Sequence, residues 1–196
     1  VLIYLIRHGQ TDWNAEGRLQ GQKDIGLNEN GRRQATENGV RLAEELGDGA
    51  AAFDYVASPL GRTRETMERV RAAMGLDPLA YRTDTRLVEL SFGDWEGSTI
   101  PELQRVMPER VEARARHKWD FIPPGEQAES YEILSWRVGA WLKSVDRPTV
   151  CVSHGGIVRS VFRIVGGWSG NKACDMNVPQ DRVLKIDRDG GLIGWL

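Results

Sequence analysis

The sequence predicts an α/β domain built on an open, largely parallel sheet. Short apolar runs alternate along the chain with capped stretches of helical spacing. Two of those runs, Val1 to Ile6 and Thr149 to Ser153, are dominated by apolar residues, as in strands covered on both faces. Each of the two is followed by a histidine and a glycine, where a strand gives way to a new element.

Taken in order, Val1 to Ile6 is the first strand. Asn28 then offers a helix N-cap, and Val40, Ala43 and Leu46 follow at helical spacing until Gly47, which predicts a helix from Asn28 to Leu46. Phe53 to Ala57 is a short second strand. Ser58-Pro59 supplies an N-cap and a first helical position for a helix running to Gly75. From Gly97 to Gln127 the composition turns to Arg, Glu and Pro, and Pro101, Pro108, Pro123 and Pro124 break any long helix. That stretch, at about 98–127, reads as a lid-like insertion with one or two short helices. Thr149 to Ser153 leads through His154-Gly155-Gly156 into a helix whose apolar stripe is Ile157, Val158, Val161 and Val165. Val183 to Ile186 and Leu192 to Trp195, joined through Asp189-Gly190-Gly191, predict a terminal hairpin. No repeat, low-complexity tract or linker divides the chain, so residues 1–196 are expected to form one domain with an excursion.

Composition narrows the function. With 40% apolar and 28% charged residues, the chain reads as soluble and globular. A net charge of -2 gives no reason to expect nucleic acid or an anionic membrane as partner, so any anion site must be a local cluster. Cys151 and Cys174 are too few for a disulfide framework and fit a reducing compartment, with the cytoplasm expected. The opening apolar run is too short for a signal-peptide core or a bilayer span. The chain begins at Val1 without a methionine, so a preceding residue or two is expected.

Three stretches meet at one place in such a sheet. Arg7-His8-Gly9, Ser58 to Arg62 and His154-Gly155-Gly156 all follow strands, and ligands bind beyond the carboxyl ends of parallel strands, where helix N-termini offer free N–H groups. That edge would hold two imidazoles and two guanidiniums, the surroundings of a dianion. An arginine fork pairs two phosphate oxygens, and a glycine after each histidine lets backbone and ligand approach. A neutral imidazole has a lone pair able to attack phosphorus without a separate base.

The blocks RHGQTDWN, LNENGRRQA, SPLGRTRET, LVELSFGDWEG and VSHGG, in that order across nearly the whole chain, resemble the histidine phosphatase superfamily, the phosphoglycerate mutase-like group. The resemblance implies an α/β/α sandwich around a mixed, largely parallel sheet. It implies that His8 is the nucleophile that takes the phosphoryl group, and that Arg7, Arg62 and His154 form the phosphate pocket with Gly155 beside them. Asn14 matches a polar contact to the transferred phosphate, and Glu89 the proton donor. GDWEGSTIPEL and PPGEQAES are more similar to small bacterial-type phosphatases than to the glycolytic mutases, so hydrolysis of a small phosphorylated metabolite is expected. A mutase-type phosphoryl shift is the alternative, and a non-catalytic phospho-ligand module is a further one. No metal or other cofactor is expected, since no clustered carboxylate or cysteine ligands stand out. A sugar phosphate, a phosphoglycerate, phosphoserine and a nucleotide-derived monoester all remain open as substrate. So does a homodimer through an exposed strand edge.

Other residues have plainer readings. His117, inside ARARHKW, is expected at the surface, and Arg64, two residues from Arg62 on another helix face, in solvent. Glu89 is favoured over Asp94 and Glu96 as the carboxyl that enters the site. Trp95, Trp119, Trp136 and Trp141 are expected in core or lid packing, and of these Trp119 has the best claim to touch substrate. Arg110, Arg114, Arg116 and Lys118 form either a solvated face or a lid surface that recognises a second anionic group.

Overall fold

The computed structural model describes residues 1–196. Six strands and eight helices follow in the order β1 (Leu2–Arg7), α1 (Asp12–Ala15), α2 (Glu29–Leu46), β2 (Asp54–Ala57), α3 (Gly61–Ala73), β3 (Arg82–Thr83), α4 (Ile100–Val106), α5 (Pro108–Arg116), α6 (Tyr131–Ser144), β4 (Thr149–Ser153), α7 (Gly155–Ile164), α8 (Gly170–Asp175), β5 (Val183–Asp187) and β6 (Leu192–Trp195). They form one mixed sheet of order β3-β2-β4-β1-β5-β6. β3, β2, β4 and β1 pair in parallel; β5 is antiparallel to β1 and forms the terminal hairpin with β6.

The apolar character of β1 follows from its position in the middle of the sheet, where side chains alternate between two covered faces. Ile3 and Leu5 pack with Leu134, Val138, Trp141, Ile157 and Val161 of α6 and α7, while Tyr4 and Ile6 pack with Leu42, Met67 and Val70 of α2 and α3. Cys151 joins the first layer and Val150 and Val152 the second. The result is the α/β/α sandwich. No helix is long and apolar enough to cross a membrane.

Several local expectations change. In α2, Asn28 does cap the helix, accepting from Gly31 N at 2.9 Å, but the buried face is Gly31, Ala35, Asn38, Gly39 and Leu42. Val40, one step round, is 47% exposed. Gly39 sets that face, because a Cβ there would press on Val70 and Ala73 of α3. Ser58 does not cap the next helix, which starts at Gly61 after an extended Leu60 with no side-chain cap; its hydroxyl is engaged by His154 instead. Trp95, Trp119 and Trp141 are buried, but Trp136 is 66% exposed on α6. Between Gly97 and Gln127, Pro101 and Pro108 open α4 and α5, which rest on a small cluster of Trp95, Leu103 and Val111.

Topology places a crevice at the middle of the sheet. The chain leaving β1 returns at β2, beyond β4, whereas the chain leaving β4 returns at β5, beyond β1. Connections diverging in this way open a gap at the carboxyl ends of β1 and β4.

Candidate active site

Strand register brings the two histidines together. Arg7 pairs with Ser153, so His8 and His154 leave the sheet side by side, and His8 N donates to Ser153 O at 2.9 Å. Their rings lie edge to face with centroids 5.2 Å apart. β2 ends alongside, with Ser58 N donating to Val152 O at 3.0 Å.

His8 is buried, and its Nδ1 lies 2.8 Å from the Gly9 carbonyl. That oxygen can only accept, so Nδ1 carries the hydrogen and the lone pair is on Nε2. Arg62 Nε donates to this lone pair at 3.3 Å. Burial, then the charges of Arg62 and Arg7, hold the His8 imidazole well below its ordinary titration range, so it is neutral near pH 7. His154 is fully buried and shifted the same way by burial and by Arg62. Its Nε2 meets Ser58 Oγ at 2.8 Å, while Nδ1 is buried without a partner.

The cations converge on the same place. Arg62 is buried on α3 and anchored by the carbonyls of Gly21 at 2.6 Å and Lys23 at 2.7 Å. Arg7 Nη1 donates to Val178 O at 2.7 Å, leaving Nε buried and unpartnered. Burial and the neighbouring Arg159 lower the Arg7 guanidinium to about 10, so it remains a cation. Gly155 opens α7, and a Cβ there would stand 3.6 Å from both Arg7 Nε and Arg159 Nη1. Glycine therefore leaves room between two guanidiniums, at the positive end of a helix.

These groups surround a cavity of about 140 Å³, lined by Arg7, His8, Asn14, Arg62, Glu89 and Gly155 among others, with His154 packed against His8. A wider groove of about 510 Å³ at the β3 edge, lined by Tyr55, Arg71 and Tyr81, has no unpartnered buried donor; Arg71 there stacks on Tyr55 and donates to Asp77 O. Asn14 Oδ1 accepts from Thr11 N at 3.1 Å and Gln180 Nε2 at 3.0 Å, which leaves its Nδ2 for a ligand.

Of the three nearby carboxyls, only Glu89 lines the cavity. Its oxygens accept from Leu90 N at 2.8 Å and Gly156 N at 3.1 Å. The backbone carrying it is clamped by Arg137, which donates to the carbonyls of Arg86, Val88 and Glu89 and pairs with Glu129 at 2.9 Å. Glu96 is engaged elsewhere, accepting from Gln22 N at 3.0 Å and Phe92 N at 3.2 Å. Asp94 lies by Gly125, outside the cavity. Trp119 is also outside the lining, stacked on Tyr131. Arg64 and His117 are exposed.

Sequence reasoning missed four residues. Arg159 and Tyr131 line the cavity; Arg159 stands four positions after Gly155, so a lone arginine one turn past His-Gly-Gly was a readable signal. Gln20 is buried beneath Arg62, and turned so that its amide nitrogen donates to Thr11, its oxygen lies 2.7 Å from Arg62 Nε. Gln180 donates to His8 O and Asn14 Oδ1, both at 3.0 Å, from a loop with no pattern to mark it.

The histidine phosphatase superfamily (branch 1) family model matches residues 3–194. Phosphoglycerate mutase-like protein 4 of Arabidopsis thaliana is 34% identical over 165 residues, which span 82% of this chain and 69% of that protein. Among solved structures, a phosphoglycerate mutase from Thermus thermophilus is 33% identical with a TM-score of 0.72, covering 95% of this chain and 93% of that one. Bacillus stearothermophilus YhfR is 28% identical with a TM-score of 0.76, covering 98% and 94%.

Proposed function

The chain belongs to the histidine phosphatase superfamily, and from that premise we propose that it hydrolyses a small phosphomonoester through a phosphohistidine on His8, without a metal. The observation that carries the reading is a pair of buried, unpartnered nitrogens, Arg7 Nε, a donor, and His154 Nδ1, which becomes a donor when the ring is protonated, beside a neutral imidazole whose Nε2 lone pair faces Arg62 Nε at 3.3 Å. Unsatisfied buried donors are costly, and a phosphate oxygen satisfies them.

In the first half-reaction the His8 Nε2 lone pair forms the N–P bond as the P–O bond to the alcohol breaks, and Glu89 gives its proton to the departing oxygen. Charge on the three equatorial oxygens is met by Arg7, Arg62, Asn14 and His154, the last becoming protonated as the dianion enters. In the second half-reaction Glu89 takes a proton from water, the water oxygen bonds to phosphorus, and the N–P bond returns its electrons to His8. His8 ends as it began.

A phosphoryl shift within one substrate is the second reading, favoured by the name of the Thermus neighbour, a phosphoglycerate mutase. A panel of phosphomonoesters separates the two. Release of free phosphate supports hydrolysis; an isomerised ester without free phosphate supports the shift; no reaction with any member leaves a binding module.

A further inference from the structure

Glu89 moves the proton in the proposed reaction, yet it stands on backbone that no regular element holds, since residues 88–92 belong to neither a helix nor a strand. Its carboxylate rests on Leu90 N and on Gly156 N in the first turn of α7. A carboxyl is placed only as well as its own backbone is placed, and that task falls to Arg137 in the middle of α6. A guanidinium has five N–H hydrogens in a planar fork, and Arg137 uses all of them. Nη1 donates to Arg86 O at 2.8 Å and to Val88 O, Nη2 to Glu89 O at 3.1 Å and Glu129 Oε2 at 2.9 Å, and Nε to Glu129 Oε1 at 3.2 Å. One side chain thus holds the carbonyls on both sides of the Glu89 peptide. Glu129 fixes the fork and reaches the loop itself: its Oε2 accepts from Ser91 N at 3.2 Å, and its own N donates to Ser91 O at 3.0 Å. The side chains of Arg137 and Glu129 are only 21% and 18% exposed, and neither lines the cavity, so neither meets substrate.

We propose that Arg137, held by Glu129, is a positioning residue for proton transfer, setting the backbone of Glu89 so that its carboxyl reaches the leaving oxygen. The proposal rests on the phosphatase reading, with Glu89 as its acid. A planar fork meets these acceptors together in few orientations, so fixing the fork fixes the loop. Without it the loop carbonyls lose their donors and the carboxyl moves off the ester. The phosphate pocket, carried by β1, α3 and α7, keeps its shape.

Single-turnover phosphorylation of His8, read as alcohol or phenol release with the protein in excess, separates positioning from general support of the fold. Arg137→Gln should slow the reaction of an alkyl phosphate about 10²-fold, the scale for a reacting group displaced by about 1 Å. The rate with an aryl phosphate of an acidic phenol should change far less, because that leaving group hardly needs a proton. Inhibition by inorganic phosphate should be unchanged, which reports an intact pocket. In a Glu89→Gln background the same substitution should cost the alkyl ester little more, since the group that it places is already gone. Arg137→Lys keeps a cation beside Glu129 but offers a single nitrogen to these acceptors. It should show the same selective loss, only smaller, and it serves as the test if Arg137→Gln does not fold. Equal slowing of the two esters, a loss repeated in full in Glu89→Gln, or no loss in either variant would overturn the positioning role and leave the phosphatase reading standing. Failure of both esters to phosphorylate His8 in the native protein would overturn the phosphatase reading, and the role with it.

Discussion

A free imidazole near neutral pH divides between two protonation states, whereas burial and the guanidiniums of Arg62 and Arg7 keep His8 in the neutral one, with its lone pair on Nε2. His154 is held neutral in the same way, yet the role proposed for it beside a dianion requires the charged form. The native protein thus binds fewer protons than the unfolded chain below about pH 6.5, so without an anion its stability falls as pH drops through that value. A bound dianion reverses the balance at His154. Sulfate, which does not itself titrate there, should bind with uptake of about one proton near pH 6, read from calorimetry in buffers of different ionisation enthalpy. The uptake should vanish in His154→Gln; uptake that persists in that variant would place the proton elsewhere. Glu89 is tested by how much the leaving group needs a proton. Glu89→Gln should slow His8 phosphorylation by alkyl phosphates about 10²- to 10⁴-fold and by an aryl phosphate with an acidic phenol far less, measured as the burst of alcohol or phenol release. Equal losses would mean that Glu89 only positions the phosphate.

At the scale of elements, the site is a consequence of register and of close backbone contacts. A Cβ on Gly31, at the start of α2, would collide with the backbone of Gln10, and a Cβ on Gly156, in the first turn of α7, would meet the Glu89 carboxylate and the end of Leu134. Backbone cannot yield, but side-chain ends can. Gly31→Ala should therefore lower stability by about 1–3 kcal/mol, while Gly156→Ala should keep most of its melting temperature and displace Glu89. The latter variant should lose alkyl phosphate turnover as Glu89→Gln does; normal turnover would show that the carboxylate need not sit on that helix. The strands that carry the site were legible because β1 and β4 are buried on both faces and are rich in apolar residues. Less legible were elements whose patterns are mixed. α6, with Trp136 exposed amid Leu134, Val138 and Trp141, offers no clean stripe, and the hydroxyl of Ser58 that looked like a cap serves His154 across the site. Long-range partners such as Gln180, which reaches His8 and Asn14 from the far end of the chain, leave no local trace.

The whole molecule is a sandwich whose diverging connections leave a gap at the centre of the sheet, and the chain fills that gap with fixed positive charge. His8, Arg7, Arg62, His154, Asn14, Gly155 and Glu89 were all named from sequence because local motifs carry them, and the fold brings them together. The sequence favours Glu89 over Asp94 and Glu96 through the resemblance alone; the packed loop adds a physical reason, since Glu89 lines the cavity whereas Glu96 accepts from Gln22 N and Phe92 N. Nowhere do three His, Cys, Asp or Glu side chains gather as metal ligands, and in the proposed mechanism arginines meet the charge on the phosphoryl group. A chelator should accordingly leave turnover unchanged, whereas strict dependence on magnesium or zinc would mean that the pocket works differently. The central claim is that phosphate passes through a covalent bond to His8. Glu89→Gln, expected to slow attack of water on the intermediate, should be mixed with an aryl phosphate, quenched in alkali, and digested for mass spectrometry. The account predicts base-stable, acid-labile phosphate on the peptide containing His8, and no turnover in His8→Ala. Phenol released with no phosphate on that peptide, or full activity in His8→Ala, would contradict it.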